Sequence, residues 1–211
     1  MKYIDISYEI SEKTQMYPGL FKPHIYQEKE IENDGVNIKK LNMITHTGTH
    51  IDAPRHFYQQ GITIDKLPID KFIGEAVYLD LSKTKLGTTI TMKDIMVYEN
   101  IIHVNDIVIL NTGIFKKYLQ EAFNTKYPTI SADVANWFVK KEISTFATDA
   151  TSVDKDGESL IHKILLGANI PIIENLTNLD NIISERIRLI AMPLKIKNGD
   201  GSPCRAIALL D

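Results

Sequence analysis

A mixed α/β fold with a largely buried sheet and flanking helices is predicted by two features of this 211-residue sequence. Short apolar runs bounded by turn residues recur along the chain, as expected of strands covered on both faces. Between them lie segments with helix-capping residues and helical spacing, so strands and helices alternate.

Taken in order, Tyr3 to Tyr8 alternates polar and apolar residues and predicts an opening strand, followed by a turn at Pro18-Gly19. His24 to Glu30 and Val36 to Thr45 have β-type patterns, and Asn33-Asp34-Gly35 between them tolerates positive φ, which predicts a hairpin. Buried strands are predicted at Ala76 to Leu79, Ile107 to Leu110, Pro171 to Ile173 and Leu189 to Met192, all too short for buried helices. Helices are predicted at Met92 to Tyr98 after a Thr91 cap, at Phe115 to Ala122, and at Ala132 to Lys141 after a Ser131 cap. No repeat or linker divides the chain, so residues 1–211 read as one domain.

Composition narrows the function classes. A formal net charge of -3 without a long Lys/Arg run supplies no footprint for nucleic acid or for an anionic membrane surface. The first residues lack the apolar core of a secretory signal, and no stretch approaches about 18 apolar residues. A cytoplasmic protein acting on a small molecule is the expectation. Cys204 is the one cysteine, which excludes an internal disulfide and a multi-cysteine zinc site. Any metal must be held by His and carboxylates.

Such residues are concentrated in His46-Thr47-Gly48-Thr49-His50-Ile51-Asp52-Ala53-Pro54-Arg55-His56, which holds three of the six histidines. Imidazole nitrogens and carboxylate oxygens suit zinc, manganese or iron, and a catalytic site uses about three protein ligands. His46, His50 and Asp52 form such a set. One helix cannot present them, because Gly48 weakens a helix and Pro54 biases Ala53 away from helical dihedrals. On a strand end, His50 and Asp52 share a face, and a bend at Gly48 lets His46 converge. His56, held off by Pro54, is either an acid/base group or else a fourth ligand or hydrogen-bonding partner. Imidazole exchanges protons near neutral pH, which suits the first role.

The pattern His-x-Gly-Thr-His-x-Asp-x-Pro-x-His resembles that of the cyclase family of metal-dependent hydrolases, which includes bacterial kynurenine formamidases and isatin hydrolases. The resemblance continues through Asp149 to Asp154, His162 to Asn178 and Pro193 to Ala206. It implies a swivelling β/α-type fold and a homodimer or homotetramer. It also implies a first metal on His46, His50 and Asp52, with Asp52 bridging to a second on His162 and Glu174, and His56 as the acid/base residue. Read without the family, His162 lies among apolar residues and is equally a core histidine. Glu174 ends a run that reads as buried, where a carboxylate needs a cation or several donors.

Metal-assisted hydrolysis of a small amide or ester is therefore expected, with one or two ions, zinc first and manganese as the alternative. N-Formylkynurenine is the most specific substrate; opening of a cyclic amide or lactone, and an inactive metal-binding protein, are the rival readings. The kynurenine formamidases carry Trp before the early Pro-Gly where this chain has Tyr17, which either stacks on a substrate ring or packs in a turn. The family's Gly-x-Asp is Ala147-Thr148-Asp149 here. Asp149 and Asp154 are either supports for ligand histidines or solvated carboxylates. Gly199 to Pro203 is either a flap over the site or a turn. Arg205 binds either a substrate carboxylate or an internal acid, and Trp137-Phe138-Val139 lies either in a subunit contact or in the core.

Overall fold

The structure, a computed structural model, describes residues 2–210. Its strands run in chain order as β1 (Lys2–Asp5), β2 (His24–Lys29), β3 (Ile38–Asn42), β4 (His50–Asp52), β5 (Ile73–Asp80), β6 (Thr89–Ile90), β7 (Ile107–Asn111), β8 (Thr129–Ile130), β9 (Thr145–Thr148), β10 (Ile172–Glu174), β11 (Arg186–Pro193) and β12 (Gly201–Leu210). One sheet takes the order β1-β12-β11-β5-β7-β9-β10-β4, and β4 pairs again with β12. That second pairing closes seven strands into a barrel and leaves β1 as an addition to β12. Strands β5, β7, β9 and β10 are mutually parallel, and the remaining pairings in the sheet are antiparallel.

The central strands are apolar on both faces because both faces are covered. Ala76, Tyr78, Ile107, Ile109, Ala147 and Ile173 pack into one core cluster. Their neighbours Val77, Leu79, Val108, Leu110, Phe146 and Ile172 pack into another, together with Val134 and Phe138 of the helix Ala132–Lys140 and Leu165 of the helix Leu160–Gly167. The two-residue period of a strand thus sorts residues between the helix-covered face and the face enclosed by the barrel. Trp137 and Val139 pack against the helix-side cluster, and Phe138 is fully buried, so this stretch is core.

The mixed α/β expectation holds, and individual elements adjust. Thr91 caps its helix through a reciprocal box with Asp94, but the α-helix ends at Ile95 and a 3-10 segment continues to Ile101. Ser131 caps Ala132–Lys140 by accepting from the Val134 N–H. The helix expected at Phe115 to Ala122 does not form: a 3-10 turn spans Ile114–Lys117, Leu119 adopts φ +69, and a short helix follows at Glu121–Thr125. A left-handed residue breaks the helical ladder there. In the hairpin, a short helix Ile31–Asp34 ending on left-handed Gly35 replaces the expected tight turn. Gly201 to Pro203 is neither flap nor turn but the start of β12, paired with β4. No helix among the described residues is long and apolar enough to cross a membrane.

The short strand β4 is wedged between β10 and β12. Its far end runs into the 3-10 turn Pro54–His56, which packs under Gly61: a Cβ on Gly61 would lie 2.5 Å from the Pro54 carbonyl carbon. The close atoms are backbone, so a Cβ there forces a main-chain shift. Gly61→Ala is expected to lower stability by about 1–3 kcal/mol, the usual cost of overpacking. Denaturant titration checks this, and an unchanged midpoint would show that the contact is not tight.

Candidate metal centre

The centre is assembled by strand register. In β4, His50 and Asp52 lie on one face while Ile51 turns into the core of the other face. Antiparallel pairing sets Glu174 of β10 opposite His50, and Ile172 opposite Asp52. On the other side Gly201 of β12 is opposite Asp52. A Cβ there would approach His46 Cε1 to 2.8 Å, so the missing side chain is what leaves room for the His46 ring. Gly48, at φ +62, supplies the bend that brings His46 back over the strand. The fourth contributor is the helix Leu160–Gly167, on the same covered face.

Asp154 ties that helix down. Its carboxylate accepts the backbone N–H groups of Ile161 and His162 at 2.8 and 2.9 Å and the His162 Nδ1–H at 2.7 Å. Asp154 thus both caps the helix and fixes the His162 tautomer, leaving Nε2 turned to Asp52 Oδ2 and Glu174 Oε1, each 3.4 Å away. His50 is fixed in the same way: its Nδ1–H donates to the Gly48 carbonyl at 2.8 Å, and Nε2 faces Asp52 Oδ1 at 3.3 Å and Glu174 Oε2 at 3.6 Å. In neutral rings these tautomers aim nitrogen lone pairs at two carboxylates.

Lone pairs facing anions are tolerable when a cation lies between them. His50, Asp52 and Glu174 are all buried and present one donor atom each within 4.8 Å of one another, and so do His46, Asp52 and His56. Asp52 belongs to both groups. It is 1% exposed, yet its Oδ2 has no hydrogen bond. A buried carboxylate oxygen left unsatisfied is costly, and a divalent cation among these nitrogen and oxygen donors removes the cost. The residues fit a metal.

Two further groups complete the site, Asp200 from far along the chain and Phe57 from the position after His56. Asp200, just before β12, has Oδ2 2.9 Å from His46 Nε2 and 3.7 Å from His56 Nδ1, and its Oδ1 accepts from Thr45. Nothing in the local sequence marks Asp200 beyond its place in the Gly199 to Pro203 segment. Phe57 stacks on His162 with ring centroids 4.7 Å apart. His56 is the most accessible of the cluster histidines, its side chain 30% exposed, and its ring lies 4.1 Å from that of His46. His46, His50, Asp52, His56, Phe57, His162 and Glu174 line a cavity of about 370 Å³, within the size range of small-molecule sites. Tyr17, Leu20 and Ile44 form part of its wall.

The remaining sequence candidates lie elsewhere. Asp149 touches no cluster histidine; it accepts from the Thr112 N–H and hydroxyl and the Phe115 N–H, and burial pushes it up to about 6. Arg205 forms a two-pronged pair with Asp5 on the exposed surface.

Charge in the cluster is strongly coupled to protons. Burial disfavours a charged His46, but its contacts to Asp52 on one nitrogen and Asp200 on the other outweigh this and push it up to about 10. Likewise burial would raise Asp52, but the positive charge of His46 beside it holds it well below the usual carboxylate range. Protons therefore fill the role of cation in the metal-free protein. The His46 contribution to stability is complete below its ordinary value of 6.5 and is lost as pH rises through about 10. A metal competes for the same atoms, so its binding releases protons and tightens with rising pH. Melting curves with and without Zn2+ between about pH 6 and about pH 9, with calorimetry in buffers of different ionisation enthalpy, test this. Metal-induced stabilisation is expected to grow with pH; a constant shift without proton release would contradict it. Asp52→Asn is expected to lose metal, as read by elemental analysis of the dialysed protein, and full occupancy in that variant would show that Asp52 is not a required ligand.

With this geometry in view, likeness to known proteins is informative. The Cyclase family model matches residues 4–155. A kynurenine formamidase from Bacillus cereus is 34% identical over 98% of this chain and 96% of its own length. Isatin hydrolase A from Ralstonia solanacearum shares the fold, with a TM-score of 0.89 at 22% identity, covering 100% of this chain and 92% of that one. A protein from Bacillus stearothermophilus described as a predicted metal-dependent hydrolase superposes with a TM-score of 0.82 at 27% identity, over 98% of this chain and 97% of its own. A buried histidine and carboxylate cluster on a barrel of this topology, in a sequence this similar, makes the chain a member of the cyclase family of metal-dependent hydrolases.

Proposed function

We propose that the protein is an arylformamidase-type hydrolase that cleaves the amide of a small N-formyl aryl compound, with N-formylkynurenine the leading candidate. The observation that carries this reading is the convergence of Asp52, Glu174, His50 and His162 beneath an open cavity, with His56 exposed at its edge. The similarity to kynurenine formamidases over nearly the whole chain supports the choice of substrate class.

In this reading His50, Asp52, Glu174, His46 and His162 hold one or two divalent cations, zinc first and manganese second. When bound, such a cation supplies Lewis acidity, making water easier to ionise and a substrate carbonyl easier to attack. His56 takes the proton from the attacking water and returns it to the leaving amine, a task suited to an imidazole that is partly open to solvent. Asp200 Oδ2, near His56 Nδ1, favours the tautomer whose Nε2 is free to accept. Leu20, Ile44 and Phe57 offer an apolar surface to an aryl ring, and Tyr17 lines the same cavity. No side-chain nucleophile is needed: burial pushes the Cys204 thiol up to about 12, leaving no thiolate at neutral pH.

A second reading, opening of a cyclic amide, is favoured by the structural likeness to isatin hydrolases. Turnover of formanilides, isatin and lactones by metal-loaded protein separates the readings; formanilide cleavage abolished by chelation is expected, and activity confined to isatin would replace the first reading with the second. His56→Ala is expected to keep its metal and lose about a hundredfold or more in kcat, in the range for a lost acid/base group. Wild-type kinetics in that variant would remove His56 from the mechanism.

A further inference from the structure

Beyond its donor cluster, the cavity has an uneven charge pattern. Its acidic lining residues are Asp52, Glu174 and Glu158, and none of the lining residues is Lys or Arg. Asp52 and Glu174 belong to the donor cluster, whereas Glu158 stands apart on an exposed loop at the mouth. Its backbone N–H donates to the Lys155 carbonyl at 2.9 Å. Among the described residues its carboxylate has no hydrogen bond or ion pair.

The loop is fastened in place. It turns on Gly157, which has φ +77, and the preceding Asp156 accepts a hydrogen bond from the Tyr17 hydroxyl. That bond joins residues 155–158 to the segment carrying Gln15, Tyr17 and Leu20, which also line the cavity. Tyr17 thus holds Asp156, and of these two loop carboxylates Glu158 is the one that lines the cavity. Outside the imidazoles and ions of the donor cluster a substrate carboxylate finds no Lys or Arg in the lining, while a substrate cation finds Glu158, which is not part of that cluster.

We propose that Glu158 is a specificity determinant that favours substrates carrying an ammonium group near the scissile amide over neutral or anionic analogues. The inference rests on the amide-hydrolase reading of the same cavity. Because Glu158 is solvent-exposed, its effect is that of a screened surface pair, about threefold to fivefold.

The test uses formanilides whose ortho side chain ends in an ammonium, a hydroxyl or a carboxylate, assayed with the metal-loaded protein. The expected order of kcat/KM is ammonium, then hydroxyl, then carboxylate, with the ammonium preference shrinking as ionic strength rises. Glu158→Gln is expected to bring the ammonium-to-hydroxyl ratio to about one, and Glu158→Lys to reverse it. A wild-type ratio of one, or a preference that survives in Glu158→Gln, overturns the proposal. Calorimetric binding of the corresponding anilines separates this inference from the reading beneath it. Absent turnover with an ammonium preference in Kd that disappears in Glu158→Gln sinks the hydrolase reading and keeps the selector; turnover without any such preference does the reverse.

Discussion

Burying two carboxylates side by side is the constraint around which this protein is organised. Asp52 and Glu174 are nearly inaccessible to water and meet the same two imidazoles. An uncompensated pair of buried anions would cost several kcal/mol per charge. Every nearby feature answers that cost: His50 and His162 have their outer nitrogens tied back, and His46 carries a proton between two acids. A cation in place of those protons would also satisfy Asp52 Oδ2.

The barrel provides the rigidity that such an arrangement needs. A three-residue strand would be a weak platform alone, but β4 is hydrogen-bonded on both edges, by β10 and β12. Closure of the sheet therefore does more than remove an edge: it brings the His46-to-His56 segment, Glu174 and Asp200 to one place. The chemistry sits on the helix-covered face of the sheet, where Asp154 locks the fourth imidazole to the start of its helix. Specific side chains are thus held by backbone contacts, leaving the cavity wall at Tyr17, Leu20 and Ile44 free to define what enters.

Much of this was legible in the sequence, for reasons that can be named. The dense run from His46 to His56 announced itself by residue type, and the bend at Gly48 followed from glycine's tolerance of positive φ. Glu174 was legible as a charge ending a buried run. Asp200 was not, because its partners lie 154 and 144 residues away and only the β4–β12 pairing joins them. The helix Leu160–Gly167 has its own signal in the sequence: Leu160, Ile161, Ile164 and Leu165 have helical spacing, which accounts for the apolar neighbours of His162. The Phe115 to Ala122 segment misled because its helix-forming residues are interrupted by a left-handed Leu119, whose 64% exposed side chain gives no local sequence signal of the break. Barrel closure itself is a long-range property that no local pattern encodes.

The central claim is that this cluster exists to hold a divalent cation at Asp52. Anomalous X-ray scattering from crystals grown with Zn2+ or Mn2+ addresses it most directly. The account predicts a strong metal peak within bonding distance of Asp52 and at least two of His46, His50, His162 and Glu174. Fully ordered side chains in the cluster with no peak among them, or metal bound only at surface carboxylates, would contradict it.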